Sequence, residues 1–171
     1  MQYNIHPIFV HFPIALLFLY STIKILPLRR WLPQIAWKQI KITLLFFGIL
    51  GAFAALSTGE AAEHLVRPNH DLVEAHSMFA SIATWIYATL LLGEILLILM
   101  PKLVIKVKST QIIKFLNFLK NFITHRVTST MLAITGLISI SITGILGGVI
   151  VYGTSADPLA GILLKLLGIN L

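Results

Sequence analysis

Four long apolar stretches, separated by short polar ones, dominate the pattern of this chain. They cover approximately residues 7–26, 40–57, 78–100 and 127–151. Each is close to the ~20 apolar residues that an α-helix needs to cross the hydrocarbon core of a bilayer. Prolines follow the first and third stretches, where they are expected to end a helix. The pattern predicts an all-α fold, an integral membrane four-helix bundle in one domain that spans residues 1–171.

Two shorter apolar segments do not have the length to cross a membrane. Residues 109–124 place their large apolar side chains on one helical face and their lysines and asparagines on the other. This amphipathic pattern predicts a helix that lies along the membrane interface between spans three and four. The apolar tail, residues 158–171, is expected to pack on the surface or to cap the bundle.

The composition supports the membrane interpretation and limits the possible chemistry. The chain is 57% hydrophobic and only 11% charged, against roughly 25% charged residues in soluble domains. Cysteine is absent, which excludes disulfides, thiolate-bound zinc, iron–sulfur clusters and covalently attached haem. Any metal or haem must therefore be held by histidine, methionine, carboxylate or backbone ligands.

The positive charges are concentrated in two loops. Eleven of the 13 lysines and arginines lie in or beside the loops that join span one to span two and span three to span four. The positive-inside rule places such loops in the cytoplasm. We therefore expect a bacterial cytoplasmic membrane protein with both termini outside and the amphipathic helix on the cytoplasmic leaflet. Because topology explains the net charge of +7, nucleic acid is not an expected partner.

With this orientation, five of the six histidines fall at the outer ends of spans one to three: His6, His11, His64, His70 and His76. His11 lies about one turn inside span one, and His76 begins span three, which runs parallel to it. These two imidazoles can therefore point inward at similar depth, and we favour them as a ligand pair. Pro13 frees the carbonyl of Phe9 and could open space beside His11, or could merely end a distorted first turn.

Span four and span three each contain one further candidate feature. Gly144, Gly147 and Gly148 form a small-residue face on span four, which allows another helix to approach closely or leaves room for a flat porphyrin. The first alternative predicts a homo- or hetero-oligomer through span four. Glu94 is an ionisable residue inside span three and is a functional candidate for that reason, unless Lys102 or Arg126 neutralises it.

The sequence does not contain the common hydrolase and transferase motifs. The segment "EAAEH" at 60–64 has no first histidine and so is not H-E-x-x-H or its inverse. Paired Glu-x-x-His motifs, G-x-S-x-G and phosphate-binding glycine loops are also absent. If the protein takes part in a reaction, we expect it to be an electron-transfer component.

Four motifs occur in an order that resembles one known family. They are "HPIFVHFPIAL" at the start, "STGEAAEHLV" closing span two, His76 opening span three, and "GGVIVYG" closing span four. This order is similar to the bacterial membrane proteins grouped as domain of unknown function number 2231. The resemblance implies four helices in a layout like that of small b-type cytochromes, with His11 and His76 as haem ligands. A longer basic segment between spans three and four, and the apolar tail, depart from the family pattern.

Three hypotheses remain open from the sequence. The first is a b-type haem near the outer face, with His11 and His76 as axial ligands and the three glycines giving close approach; its redox partner could be a protein or a quinone. The second is a copper or zinc site, since imidazole suits both metals. Its ligands would be His6, His11, His64 and His76. Glu60 and Glu74 are candidate hydrogen-bonding neighbours of a bound cofactor, and in the haem hypothesis Glu60 and His64 could instead form a proton relay on the quinone side. The third is a cofactor-free structural subunit that grips a partner through span four.

Overall fold

The computed structural model describes residues 5–66 and 69–169, except for the side chains of residues 60 and 63–66. Throughout these ranges the regular structure is helical, without a strand. The helices are α1 His6–Ile25, α2 Leu28–Trp31, α3 Trp37–Val66, α4 His70–Lys106, α5 Thr110–Thr124, α6 Arg126–Tyr152 and α7 Ala160–Leu167. A short 3-10 turn, Thr154–Ala156, precedes α7.

Four of these helices, α1, α3, α4 and α6, are long and apolar enough to cross a membrane. The prediction of an all-helical chain with four membrane-length helices is therefore confirmed. Helices α3 and α4 extend well beyond their apolar stretches, because hydropathy marks only the part of a helix that suits hydrocarbon. Helix α4 has 37 residues, which is about 55 Å at 1.5 Å per residue, whereas the hydrocarbon core is about 30 Å thick.

Pro27 and Pro101 have different effects on the helices that precede them. Helix α1 ends at Ile25, with Leu26 extended before Pro27, as predicted. Pro101 was expected to end span three, but α4 continues through it to Lys106. A proline inside a helix removes one backbone hydrogen bond, a loss that membrane-length helices tolerate, and Pro101 is exposed, so its ring displaces no packed neighbour. The expected stop at Pro101 is wrong for this reason.

The long helices pack around a shared core. Helix α1 packs against α3 and α6, and α4 packs against the same two helices. Each contributes buried apolar residues to one cluster, among them Leu17, Leu45, Tyr87 and Ile140. Helices α1 and α3 approach each other closely at Gly48, where an added Cβ would lie only 2.6 Å from Leu17 Cδ2.

Helices α5 and α7 cover opposite ends of this core. Helix α5 returns along α4, so that a Cβ at Gly93 would lie 2.6 Å from the Ile123 side chain. The predicted amphipathic helix is thus present, with Phe115, Phe118 and Phe122 exposed. Helix α7 buries two residues in a second apolar cluster formed with α4 and α6, which consists of Leu72, Leu146, Val149, Ala160, Leu164 and Ile169. The apolar tail therefore packs beside the ends of α4 and α6.

Candidate functional site: a histidine pair

Two imidazoles meet at the end of the molecule where α1 and α4 begin and α3 and α6 end. His6 is the first residue of α1, and His76 lies in the second turn of α4. Their ring centroids are 6.5 Å apart, and the ring planes are nearly perpendicular at 82°. Both side chains are partly buried. We call His6 and His76 the histidine pair.

A threonine hydroxyl on α3 orients the first imidazole. His6 Nδ1 lies 3.0 Å from Thr58 Oγ1. The Thr58 hydroxyl donates its one proton to the Ala55 carbonyl at 3.0 Å, so its oxygen accepts from His6 Nδ1–H. A neutral imidazole carries one N–H. In neutral His6 the lone pair is therefore on Nε2.

A backbone carbonyl on α6 orients the second imidazole in the same way. His76 Nδ1 lies 3.0 Å from the carbonyl oxygen of Thr143. A carbonyl can only accept, so His76 Nδ1–H is the donor and neutral His76 also carries its lone pair on Nε2. Metal-bound histidines are commonly held in this tautomer by a hydrogen bond from the other ring nitrogen. Both members of the histidine pair are therefore oriented through Nδ1 by an oxygen acceptor on a neighbouring helix.

Two glycines lie against the histidine pair. A Cβ added at Gly59 would be 3.5 Å from His6 Cε1, and one at Gly147 would be 3.1 Å from His76 Cε1. The second distance is tighter than ordinary side-chain packing, so Gly147 allows His76 its present position. The remaining glycines predicted from span four lie elsewhere. Gly148 faces Ala156, and a Cβ at Gly144 would meet no atom within 4 Å.

His11, which the sequence favoured as a ligand with His76, is placed differently. Its side chain is exposed, and its Nδ1 is hydrogen-bonded to the Pro7 carbonyl of its own helix. Helix α1 also continues through Pro13, which is buried and lies 3.2 Å from a Cβ position at Gly51. The proline therefore packs against α3, and the structure brings His76 together with His6.

The other predicted ligands divide into exposed residues and residues outside the described side chains. His70 Nδ1 is 3.8 Å from both the Asp71 and Glu74 carboxylates, and all three side chains are highly exposed. Glu74 therefore faces His70 at the surface. His64 and Glu60 belong to α3, but their side chains lie outside the described residues. Among the side chains that are described, no three histidines or carboxylates are grouped closely enough to hold a metal ion.

A sequence signal for His6 exists in the spacing of the buried residues of α1. Pro13, Leu17 and Tyr20 are buried, and His6 precedes Pro13 by seven residues, which is close to two helical turns. His6 thus shares the face of α1 that packs inside, whereas His11 is about 140° away from His6 at 100° per residue. Thr58, Thr143 and Gly59 carry no comparable signal, since their role depends on contacts between helices.

Comparisons with known proteins add no relative: no family model, curated protein or solved structure matches this chain. Similarity to domain of unknown function number 2231 stays a prediction from the motifs. The function is therefore argued from the geometry of the histidine pair.

Proposed function

We propose that the protein is a membrane electron-transfer component that binds one b-type haem through the histidine pair, His6 and His76. The observation that carries this proposal is the pairing of two imidazoles, both with Nδ1–H engaged on a neighbouring helix. Bis-imidazole ligation suits a six-coordinate haem that transfers electrons. The ligand on span one is thus His6 in place of His11.

The spacing of the two rings supports a shared metal centre. With metal–imidazole bonds of about 2.0–2.1 Å, two imidazoles can share one ion only if their ring centroids are no more than about 6–7 Å apart. The observed separation is 6.5 Å, at an interplanar angle of 82°. Ligation through Nε2 would also leave the Nδ1 hydrogen bonds to Thr58 and Thr143 intact.

A bound haem would supply one-electron chemistry, and the residues of this chain would hold and tune it. The Nδ1 hydrogen bonds fix the ring orientations and raise the basicity of the ligands. The small residues Gly59 and Gly147 limit steric bulk beside the imidazoles. The partial burial of both rings reduces access of water to the ligands.

The proposal includes an orientation in a bacterial cytoplasmic membrane. The loops before α3 and after α4 carry most of the lysines and arginines, so the positive-inside rule places them in the cytoplasm. The histidine pair lies at the opposite ends of the helices, hence near the outer face. A quinone or an external redox protein would exchange electrons with the haem there.

Copper or zinc is the second candidate for the same pair. The ring spacing is also compatible with two imidazoles on one small ion, which needs less space than a porphyrin. Such a site would require further ligands, and His64 at the end of α3 is the residue predicted to supply one. Substitution of His64 therefore separates this alternative from haem, which needs only the pair.

The test is a reduced-minus-oxidised visible spectrum of protein purified in mild detergent from haem-replete cells, with elemental analysis of the same sample. We expect the sharp reduced bands of low-spin b-type haem at about one haem per chain. His6→Ala and His76→Ala should each abolish the six-coordinate spectrum, whereas the matched control His11→Ala should keep it.

Each other outcome has a definite meaning. Loss of haem in His11→Ala with retention in His6→Ala would restore the pair predicted from the sequence and overturn the assignment of His6. Protein that contains stoichiometric copper or zinc but no haem, and that loses it in His64→Ala, would replace haem with the metal site. Protein that is colourless and free of metal would overturn both.

A further inference from the structure

At the opposite end of the molecule from the histidine pair, a polar cavity opens between α1, α4, α5 and α6. Its volume is about 310 Å³, which includes the space at its open mouth. The polar residues that line it are Tyr20, Lys24, Glu94, Thr124 and Ser129. Such a cavity inside membrane-length helices needs an explanation, because polar groups in these segments are costly unless they are satisfied.

Two opposite charges face this cavity without touching. Within the described part of the chain, the ion pairs closer than 4.0 Å both involve His70, so Lys24 and Glu94 do not form a direct pair. Both nevertheless line the same cavity. A cation and an anion on different helices, separated by open space, present complementary charges to a ligand that carries both signs.

The hydroxyls beside Glu94 make its side of the cavity a region of hydrogen-bond acceptors. Thr124 Oγ1 donates to the Lys120 carbonyl at 2.7 Å, and Ser129 Oγ donates to the His125 carbonyl at 2.8 Å. A hydroxyl has one proton and two lone pairs, so each of these oxygens can still accept. Together with the Glu94 carboxylate, they suit a primary ammonium group, which has three N–H donors.

The cavity lies near the ends of α1, α5 and α6, and Glu94 faces it from the interior of α4. Lys24 is in the last turn of α1 and Ser129 is in the first turn of α6. The C-terminal end of the amphipathic α5 meets α4 at Gly93, beside Glu94. In a membrane, such a position is at the level of the lipid headgroups, where an amphipathic helix lies.

We propose that this cavity binds the phosphate–ammonium group of an ethanolamine phospholipid. Glu94, Thr124 and Ser129 accept the three ammonium N–H groups, and Lys24 binds the phosphate. Charge-assisted hydrogen bonds of this kind are about twice as strong as neutral ones. The site goes beyond the proposed haem function and is independent of it, because it uses none of the residues of the histidine pair.

The experiment measures lipid binding to delipidated, detergent-solubilised full-length protein by native mass spectrometry. Three phospholipids with identical acyl chains are compared, with ethanolamine, choline or glycerol headgroups. Choline has a cation without N–H donors, and glycerol has no cation. We expect the ethanolamine lipid to bind about tenfold more tightly than either, the size expected for a hydrogen bond between charged groups.

Two variants and two matched controls locate the site. Glu94→Gln should abolish the preference for the ethanolamine lipid over the choline lipid. Lys24→Met should weaken the binding of the ethanolamine lipid and of the glycerol lipid to the same extent, since both carry phosphate. Glu74→Gln, an exposed carboxylate at the other end, and Lys120→Met, a lysine on α5, should behave as wild type. Gel filtration and the melting temperature of each variant show that it is folded.

Three results would overturn the proposal. They are equal binding of the three lipids by the wild type, an unchanged ethanolamine preference in folded Glu94→Gln, and an equal loss of preference in Glu74→Gln. Soluble phosphoethanolamine distinguishes the two sources of this chemistry. If it competes as strongly as the lipid, the zwitterion site is supported with a free ligand as its source; weak competition supports the lipid.

Discussion

The two ends of this molecule solve the problem of polar groups between apolar helices in different ways. At the histidine end, each imidazole donates to an acceptor on a neighbouring helix, Thr58 Oγ1 or the Thr143 carbonyl. At the cavity end, the hydroxyls of Thr124 and Ser129 donate within the chain segment to which they belong. The first arrangement fixes side chains between helices, while the second leaves charges facing open space.

A buried layer separates these two ends. Ser21 Oγ and Tyr87 Oη form a hydrogen bond of 2.8 Å, and the Tyr20 and Tyr87 rings pack edge to face at 6.1 Å. Tyr87 is fully buried, and a Cβ at Gly136 would lie 2.9 Å from its ring. The dense packing of this layer means that a ligand at one end does not extend to the other. The difference shows that two polar clusters of unlike chemistry share one set of helices.

The largest expected effect is a clean separation of the two ends. His76→Ala should remove all six-coordinate haem and leave the preference for ethanolamine lipid unchanged. Glu94→Gln should keep all of the haem and lose the preference for ethanolamine lipid, because the two residues are about 27 Å apart along α4. Visible spectra and native mass spectra of both variants check this, and haem loss in folded Glu94→Gln would contradict the comparison.

The next effect concerns the glycines of α6. Gly147→Leu should crowd His76, since even a Cβ would be 3.1 Å from its ring, and should cost about 1–3 kcal/mol of stability through overpacking together with most of the bound haem. Gly144→Leu is the matched control, because nothing lies within 4 Å of that Cβ position. Thermal unfolding and haem content compare the two variants. If Gly144→Leu is the more damaging variant, the result would favour the third hypothesis, in which a cofactor-free subunit binds a partner protein through span four.

A smaller effect is expected from removing one hydroxyl at each end. Thr58→Val deletes the acceptor of His6 Nδ1–H, and loss of such a partner typically weakens a metal centre about tenfold or more. Thr124→Val should leave haem affinity unchanged but weaken ethanolamine lipid binding. Haem titration of the two proteins provides the measurement, and equal haem affinities would show that Thr58 does not orient the ligand.

The smallest effect lies in the layer between the ends. A double-mutant cycle of Ser21→Ala and Tyr87→Phe should give a coupling energy of about 0.6 kcal/mol, the average for hydrogen bonds between membrane helices. Unfolding in detergent measures it, with haem content and lipid preference as additional readouts. We expect both readouts to stay unchanged, and a change in either would show that the middle layer connects the two ends.

Much of the fold was predictable because hydropathy reports directly on it. The four membrane-length helices and α5 are where the apolar patterns place them. The continuation of α4 through Pro101 was not predictable, since a proline is tolerated where neighbouring chain compensates. Pro101 is exposed in the structure, and the exposure of a single turn of a helix is not written in the local sequence pattern.

The candidate sites were predictable only in part. Glu94 stood out because an ionisable residue inside an apolar segment is unusual, and His76 stood out because it begins span three at a depth similar to that of His11. From the sequence, His11 was preferred to His6 because of its depth in span one. In the structure, the side chain that meets His76 is decided by the face of α1 on which it lies, and this face carries His6. Lys24 is one of the basic residues that were interpreted only as determinants of membrane orientation. Its position in the same cavity as Glu94 depends on how α1 and α4 pack against their neighbours. Contacts between segments that are distant in the chain are the features of these sites that could not be predicted from a single sequence.

Helix α4 carries one residue of the histidine pair and one residue of the cavity. Glu94 follows His76 by 18 residues, which is five full turns of 3.6 residues, so both side chains project from the same side of one continuous helix. If α4 turned about its axis as a rigid rod, His76 and Glu94 would rotate through the same angle and in the same sense. The buried layer around Tyr87, with its hydrogen bond to Ser21 and its edge-to-face contact with Tyr20, opposes such a rotation, so that each end of α4 keeps its own orientation.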